Sequence, residues 1–285
     1  MRNLAVIAVF MLAIVAGAHA QSSLQTYTPS KLLGKGQFEA KIFNNLYYQN
    51  KAFNSEGKKE ETMVGNEYYF TMLNQFLYGV NDKVNIGADL WVKHVNKPMS
   101  EKESRTAVSG FGPKIKIAPF DGIKGFSIQS TFLFPIATDQ EGRNEQQNKD
   151  FLAFDRHLWI NQFFYDADLS DKLQIFVQMS LWYSIVRESF VENNFLETPV
   201  SGFLSYFPND KWTLYAMTEY WPTHYNYNTQ QAAAFNQYFV QSGLGVKNQL
   251  IKGKLELELL YTNFWKGSQG QGAGSTINLG FRIIN

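Results

Sequence analysis

The strongest constraint on this chain is the rhythm of its connections. From about residue 36 onward, short alternating stretches follow one another, and the segments joining them switch regularly between short and long. The short connections fall around Asn81-Asp82-Lys83, Pro119 to Gly125, Asp168 to Lys172, Pro208 to Lys211 and Lys247 to Gly253. Between them lie longer, charged or Asn/Gln/Gly-rich connections near 50–61, 96–105, 139–150, 188–198, 222–234 and 267–273. Alternating stretches joined in this way fold back on their neighbours as antiparallel hairpins, with tight turns on one rim of a sheet and long connections on the other. No linker or second domain interrupts the pattern.

The stretches themselves read as strands with two different surroundings. At 84–94, Val84, Ile86, Ala88, Leu90 and Val92 occupy one face, and Asn85, Gly87, Asp89, Trp91 and Lys93 the other. A period of two over that length is the signature of a strand whose faces differ. The same alternation runs through 126–136, 173–183 and 255–265. It closes the chain, where Ile277, Leu279, Phe281 and Ile283 oppose Thr276, Asn278, Gly280 and Arg282. Weaker segments at 37–48, 66–78, 106–118, 152–165, 199–207, 212–221 and 235–246 fill the gaps. The pattern predicts about twelve strands, an even number that returns both ends to one rim.

What lies against the apolar face follows from composition. Aromatics make up 16% of residues while the mean hydropathy is −0.27, so the chain is ring-rich without being hydrophobic overall. A wall with lipid on one side and water on the other averages to that combination. Aromatics also cluster at strand ends: Tyr47 and Tyr48, Tyr68 and Tyr69, Trp182 and Tyr183, Tyr220 and Trp221, Phe264 and Trp265. Such rings are expected at the two membrane–water boundaries. The alternative of a soluble secreted sandwich also alternates and buries rings, but it does not call for the regular asymmetry of the connections. Residues 1–20 carry Arg2, an apolar run from Leu4 to Val15 and the small-residue ending Ala18-His19-Ala20, and are expected to be a secretory leader cleaved before Gln21. Residues 21–35 read as a short periplasmic lead-in, and 36–285 as the barrel. With no cysteine, a lipid anchor on cysteine and disulfides are excluded. A net charge of +1 without a basic cluster gives nucleic acid no footing.

Over 36–285 the chain resembles the outer-membrane β-barrel proteins of Gram-negative bacteria. The resemblance rests on the leader, the hairpin rhythm and the closing strand Gly274 to Asn285. Many such barrels end in an aromatic residue, whereas here Asn285 is last and Phe281 is the nearest ring. The resemblance implies an all-β fold: a single transmembrane antiparallel up-and-down barrel in the cell outer membrane, in contact with its lipid. It implies short periplasmic turns and longer extracellular loops, and leaves open what passes through or docks.

The side chains offer little catalytic chemistry. No His/Asp/Glu spacing resembles a metal motif and no Gly-rich loop cradles phosphate, so neither metal nor cofactor is expected. Asp155 and His157 are two apart and would share a face with Trp159 and Asn161, where a carboxylate could orient an imidazole base. His94 falls on the lipid-facing parity, but the sequence His94-Val95-Asn96 lacks the serine that a barrel phospholipase carries in its His-x-Ser arrangement.

The predicted lumen says more. Its candidate lining residues are Glu39, Lys41, Asp89, Lys93, Lys114, Lys116, Gln129, Asp155, His157, Gln174, Gln178, Glu219, Glu256, Glu258 and Arg282. Both signs are present, without a ring of one sign. Arg282 is expected opposite Glu256, with Glu39 approaching across the closing seam. Such a lining suits a channel or transporter for small polar solutes. Two other readings compete: a structural or docking component that meets a protein partner through its outer loops, and an outer-membrane hydrolase.

Overall fold

The computed structural model describes residues 30–62, 65–144, 147–187, 193–225 and 237–285. The leader and most of the lead-in lie outside the described residues, as does most of the connection read at 222–234. The strand segments are β1 (Phe38–Phe53), β2 (Lys59–Glu61), β3 (Glu67–Asn81), β4 (Val84–Asn96), β5 (Arg105–Ile117), β6 (Phe126–Pro135) and β7 (Arg156–Ser170). They continue with β8 (Leu173–Val186), β9 (Phe195–Glu197), β10 (Val200–Asn209), β11 (Trp212–Tyr225), β12 (Gln237–Ile251), β13 (Leu255–Gly267) and β14 (Gly272–Ile284).

Fourteen segments make twelve wall strands. β2 pairs only with the end of β1. β9 and β10 both run between β8 and β11, and are one strand interrupted at Thr198-Pro199, where proline supplies no N–H to the ladder. Every wall strand pairs antiparallel with the next, and β14 pairs with β1 from Ile284–Glu39 to Gly272–Ala52. The sheet therefore closes on itself as a twelve-strand antiparallel barrel with no free edge.

The tight turns lie on the rim that carries the barrel's two ends, and several share one device. Asn81 Oδ1 accepts the Lys83 N–H at 2.8 Å, Asn209 Oδ1 accepts that of Lys211 at 2.9 Å, and Ser170 Oγ accepts that of Lys172 at 3.3 Å. A short polar side chain that bonds the backbone two residues on is a ready-made reversal. On the opposite rim the connection read as long at 267–273 is in fact a tight turn. β13 continues to Gly267 and β14 resumes at Gly272. The turn between them is pinned to its neighbours, Gly270 N–H donating to Phe53 O and Ser268 N–H to Tyr238 O. Its Gly/Gln composition suggested slack, but those small residues let the turn fit under Phe53.

The two faces of the wall sort as their alternation demands. Ile86, Phe134, Val177, Leu204, Leu259, Ile277 and Phe281 are exposed outward, forming an apolar mantle. The alternate positions are buried inside. Two inward glycines on β14 admit rings from β1: a methyl at Gly280 would sit 2.7 Å from Phe43 Cε1, and one at Gly274 would sit 2.7 Å from Tyr47 Cε2.

Candidate functional site

The candidate site is the lumen, whose half nearer the termini has two unlike walls. One wall is ionic and spans β14, β1, β4 and β5. Glu39 takes Lys41 at 3.0 Å and the Arg282 guanidinium at 2.5 Å, the latter across the closing seam. Lys114 meets Asp89 at 2.5 Å, with side chains only 1% and 3% exposed. Lys116 donates to the Lys31 carbonyl at 3.4 Å. The facing wall, on β7, β8, β10 and β11, is an arc of rings. Phe164, Phe176, Phe203 and Tyr215 follow one another at centroid separations of 6.0, 5.3 and 6.0 Å, and Met217 and Leu260 complete the apolar patch. An ammonium caps each end of the arc: Lys116 Nζ lies 5.2 Å from the Phe164 centroid and Lys247 Nζ 5.9 Å from that of Tyr215. Lys247 also meets Glu258 at 3.3 Å and Glu256 at 3.6 Å.

Above this section, towards the long connections, rings close the lumen. Tyr69, Tyr47, Phe264, Phe239 and Trp221 run round its inside at centroid separations of 5.9, 5.2, 4.7 and 5.8 Å. Trp182 extends the chain from Trp221 at 5.0 Å and then meets Trp91 at 5.9 Å. Trp91 stands on β4 and Trp182 on β8, four strands away round the wall, so this contact bridges the interior.

Both mouths are also covered by backbone. The described parts of the connection 136–155 fold inward, with Gln140 Nε2 bonded to Ser109 O at 2.9 Å and Leu152 packed into the ring cluster. At the other mouth the segment before β1 crosses below several strands. Ser30 bonds Asp166 on β7 through both its N–H and its hydroxyl, Leu33 is buried, and Gly36 N–H donates to Gly79 O at 2.8 Å.

Glu39, Lys41, Asp89, Lys93, Lys114, Lys116, Gln129, Gln174, Gln178, Glu219, Glu256, Glu258 and Arg282 stand on inward positions. Arg282 stands opposite Glu256 in the ladder, as expected, and reaches Glu39 across the seam, while the Glu256 carboxylate pairs with Lys247. Glu219 accepts from Ser201 and Gln241 at 2.8 and 2.7 Å. One reading needs correction, that of His157. Asp155 precedes β7 and pairs with Arg187 at 2.6 Å on the long-connection rim. His157 points outward, stacked on Phe132 at 5.9 Å, and its face-mate Trp159 is 46% exposed. The physical reason is that Leu158, Ile160 and Phe164 are buried on the inward parity of β7, shared with Gln162, which leaves 157 and 159 facing out. Asp155 is bonded to Arg187 and no hydrogen bond joins it to His157, so the two form no acid–base pair. His94 Nδ1 lies 2.8 Å from Thr106 Oγ1 on the outer face, but among the described residues no carboxylate is bonded to its other ring nitrogen.

The inner rings were missed. Adjacent aromatics in a strand must split between its faces: Tyr47, Tyr69, Trp182, Trp221 and Phe264 point in, while Tyr183, Tyr220 and Trp265 are exposed outside. Only the second set can serve as an outer girdle. The doubled rings themselves were the available signal.

An outer-membrane channel from Pseudomonas putida F1 superposes with a TM-score of 0.68 over 92% of this chain and 100% of its own, at 9% identity. The fold is that of the outer-membrane β-barrels. The β domain of a Bordetella autotransporter superposes with a TM-score of 0.57 over 87% of this chain and 99% of its own, at 10% identity. The translocator domain of a Neisseria meningitidis autotransporter scores 0.50 over 99% and 97%, also at 10% identity. No protein-family model and no curated protein matches the sequence.

Proposed function

We propose that this protein is an outer-membrane channel or transporter for small solutes, exported through a leader at 1–20 and bounded outside by lipid along its apolar mantle. The observation that carries this reading is the ionic wall facing an aromatic wall across one lumen. Buried ion pairs such as Lys114–Asp89 stabilise a fold no better than apolar side chains of similar volume. A barrel filled only for its own stability would gain nothing from them, and charged groups at membrane depth generally mark a path for solutes. The filling also suits displacement. The ionic wall is occupied by long, flexible Lys and Arg chains that can swing aside. The Trp91–Trp182 contact then acts as a constriction of rings that closes the lumen until it parts. A channel with this fold over its full length is compatible with the proposal.

Planar-bilayer recording tests it. The purified barrel is expected to give stepwise currents, and Trp182→Ala, which removes one side of the constriction, is expected to raise the open probability or step size. Silence from both the parent and Trp182→Ala, each folded, would reject the channel in favour of a structural or docking role.

A further inference from the structure

Three features of the lumen share one chemistry. The first is at the constriction, where the indole N–H groups of Trp91 and Trp182 have no acceptor among the described residues, although Trp182 is only 8% exposed. The indole beside them, Trp221, does have a partner, donating to Glu197 at 3.0 Å. Buried indole N–H groups ordinarily find acceptors, and leaving one unmade is costly. The ring contact that bridges the lumen therefore holds two buried indole donors without a partner among the described residues. The second feature is the ring arc, which is apolar along its length and has an ammonium over the ring at each end. The third is the wall opposite, where Lys41, Lys114, Lys116 and Arg282 outnumber Glu39 and Asp89 by four to two.

Donors and cations recognise acceptors of negative charge, and a flat arc of rings recognises a flat apolar body. A neutral sugar could lay its C–H face on the arc, but it would bring no negative charge to the surplus cations of the ionic wall. An inorganic anion would leave the arc unused. We infer that the solute is an organic acid carrying its carboxylate on a flat, apolar ring. This rests on the channel reading above and names the substrate class of the same lumen. In the closed arrangement each end of the arc is covered by a lysine, Lys116 at Phe164 and Lys247 at Tyr215. A carboxylate that draws Lys116 off Phe164 uncovers the ring face that its own body then occupies. The same ammonium both shields the arc and admits the ligand.

Benzoate, acetate and benzyl alcohol separate the two halves of this recognition. Each is titrated calorimetrically into the folded barrel in detergent, and each is tested for block of the chloride current in planar bilayers. Benzoate is expected to bind at least about tenfold more tightly than either of the others, a difference of about 1.4 kcal/mol. Trp182→Phe, which keeps the ring and removes the N–H, should weaken benzoate by about threefold or more. Lys116→Gln should bring benzoate down towards benzyl alcohol. Should either variant fail to give the heat-modifiable band of a folded barrel, Phe176→Leu replaces it and should weaken benzoate while sparing acetate. Benzoate binding no better than acetate would show that the arc takes no part, and binding no better than benzyl alcohol would show the same of the donors and cations. Either result overturns the inference. Benzoate bound without any current keeps the ligand class and rejects the channel. Current without a preference for benzoate does the reverse.

Discussion

The half of the lumen near the long connections and the half near the termini are closed by opposite means. In the first, rigid rings interlock from Tyr69 round to Trp91, with Leu152 packed among them from the connection 136–155. In the second, Lys116 and Lys247 lie over the ends of a ring arc, while Lys41, Arg282 and Lys114 pair with Glu39 and Asp89. Rings hold their positions through shape and open only if the backbone or rotamers shift. Lysine and arginine stems are flexible and can follow a charge. On the proposed reading, the first section excludes water and the second recognises the solute, and the contrast can be broken at several points.

The largest effect is expected at the buried pair. Asp89→Leu leaves Lys114 without its carboxylate and should cost about 3–5 kcal/mol, whereas the double variant Asp89→Leu/Lys114→Met should equal or exceed the parent. Refolding into lipid vesicles under urea measures both. A double variant as unstable as the single would mean that the ionic wall exists for stability. Next comes the contrast between mantle and lumen. Leu259→Arg on the outer face should cost roughly 2–4 kcal/mol in the same assay, and the inward Gln178→Arg should cost little. Equal penalties would overturn the assignment of faces.

The smallest effect concerns the inward connection. Burial pushes the Asp150 carboxyl up from its ordinary range, against the Ser100 hydrogen bond at 3.0 Å. Because the folded value is raised, ionisation opposes the closed loop, which is held best at acid pH and loosens as pH rises through the carboxyl range. Asp150→Asn should therefore tighten the loop at neutral pH by under about 1 kcal/mol and change nothing in acid. Hydrogen exchange at the Glu103 and Asp150 amides, which bridge the two connections, would report it.

The architecture was legible because alternation depends only on each strand's own residues. The strand pattern, the parity of Asp89, Gln178 and Glu258, and the Glu39–Arg282 seam could be read from local order and hairpin geometry alone. The interior ring cluster was not, because its contacts join residues such as Trp91 and Trp182 that no hairpin brings together. His157 was misplaced for the same reason: its parity was judged by assuming a polar interior, and the inward face of β7 carries Leu158, Ile160 and Phe164. The turn at 268–271 was misjudged because glycine serves slack loops and tight fits alike.

Gly280 and Gly274 act as a vernier on the seam. A slip of one residue between β1 and β14 would turn every side chain to the wrong face, so alternation alone forbids it. A slip of two keeps every face correct, and alternation is blind to it. That slip would move Phe43 from Gly280 to Asn278 or Arg282, neither of which has room for a ring. The stagger at which a barrel closes, together with its strand number, sets its bore. Two missing side chains on the last strand thereby fix the calibre of the tube, and a methyl added at either would alter its width before it altered its contents.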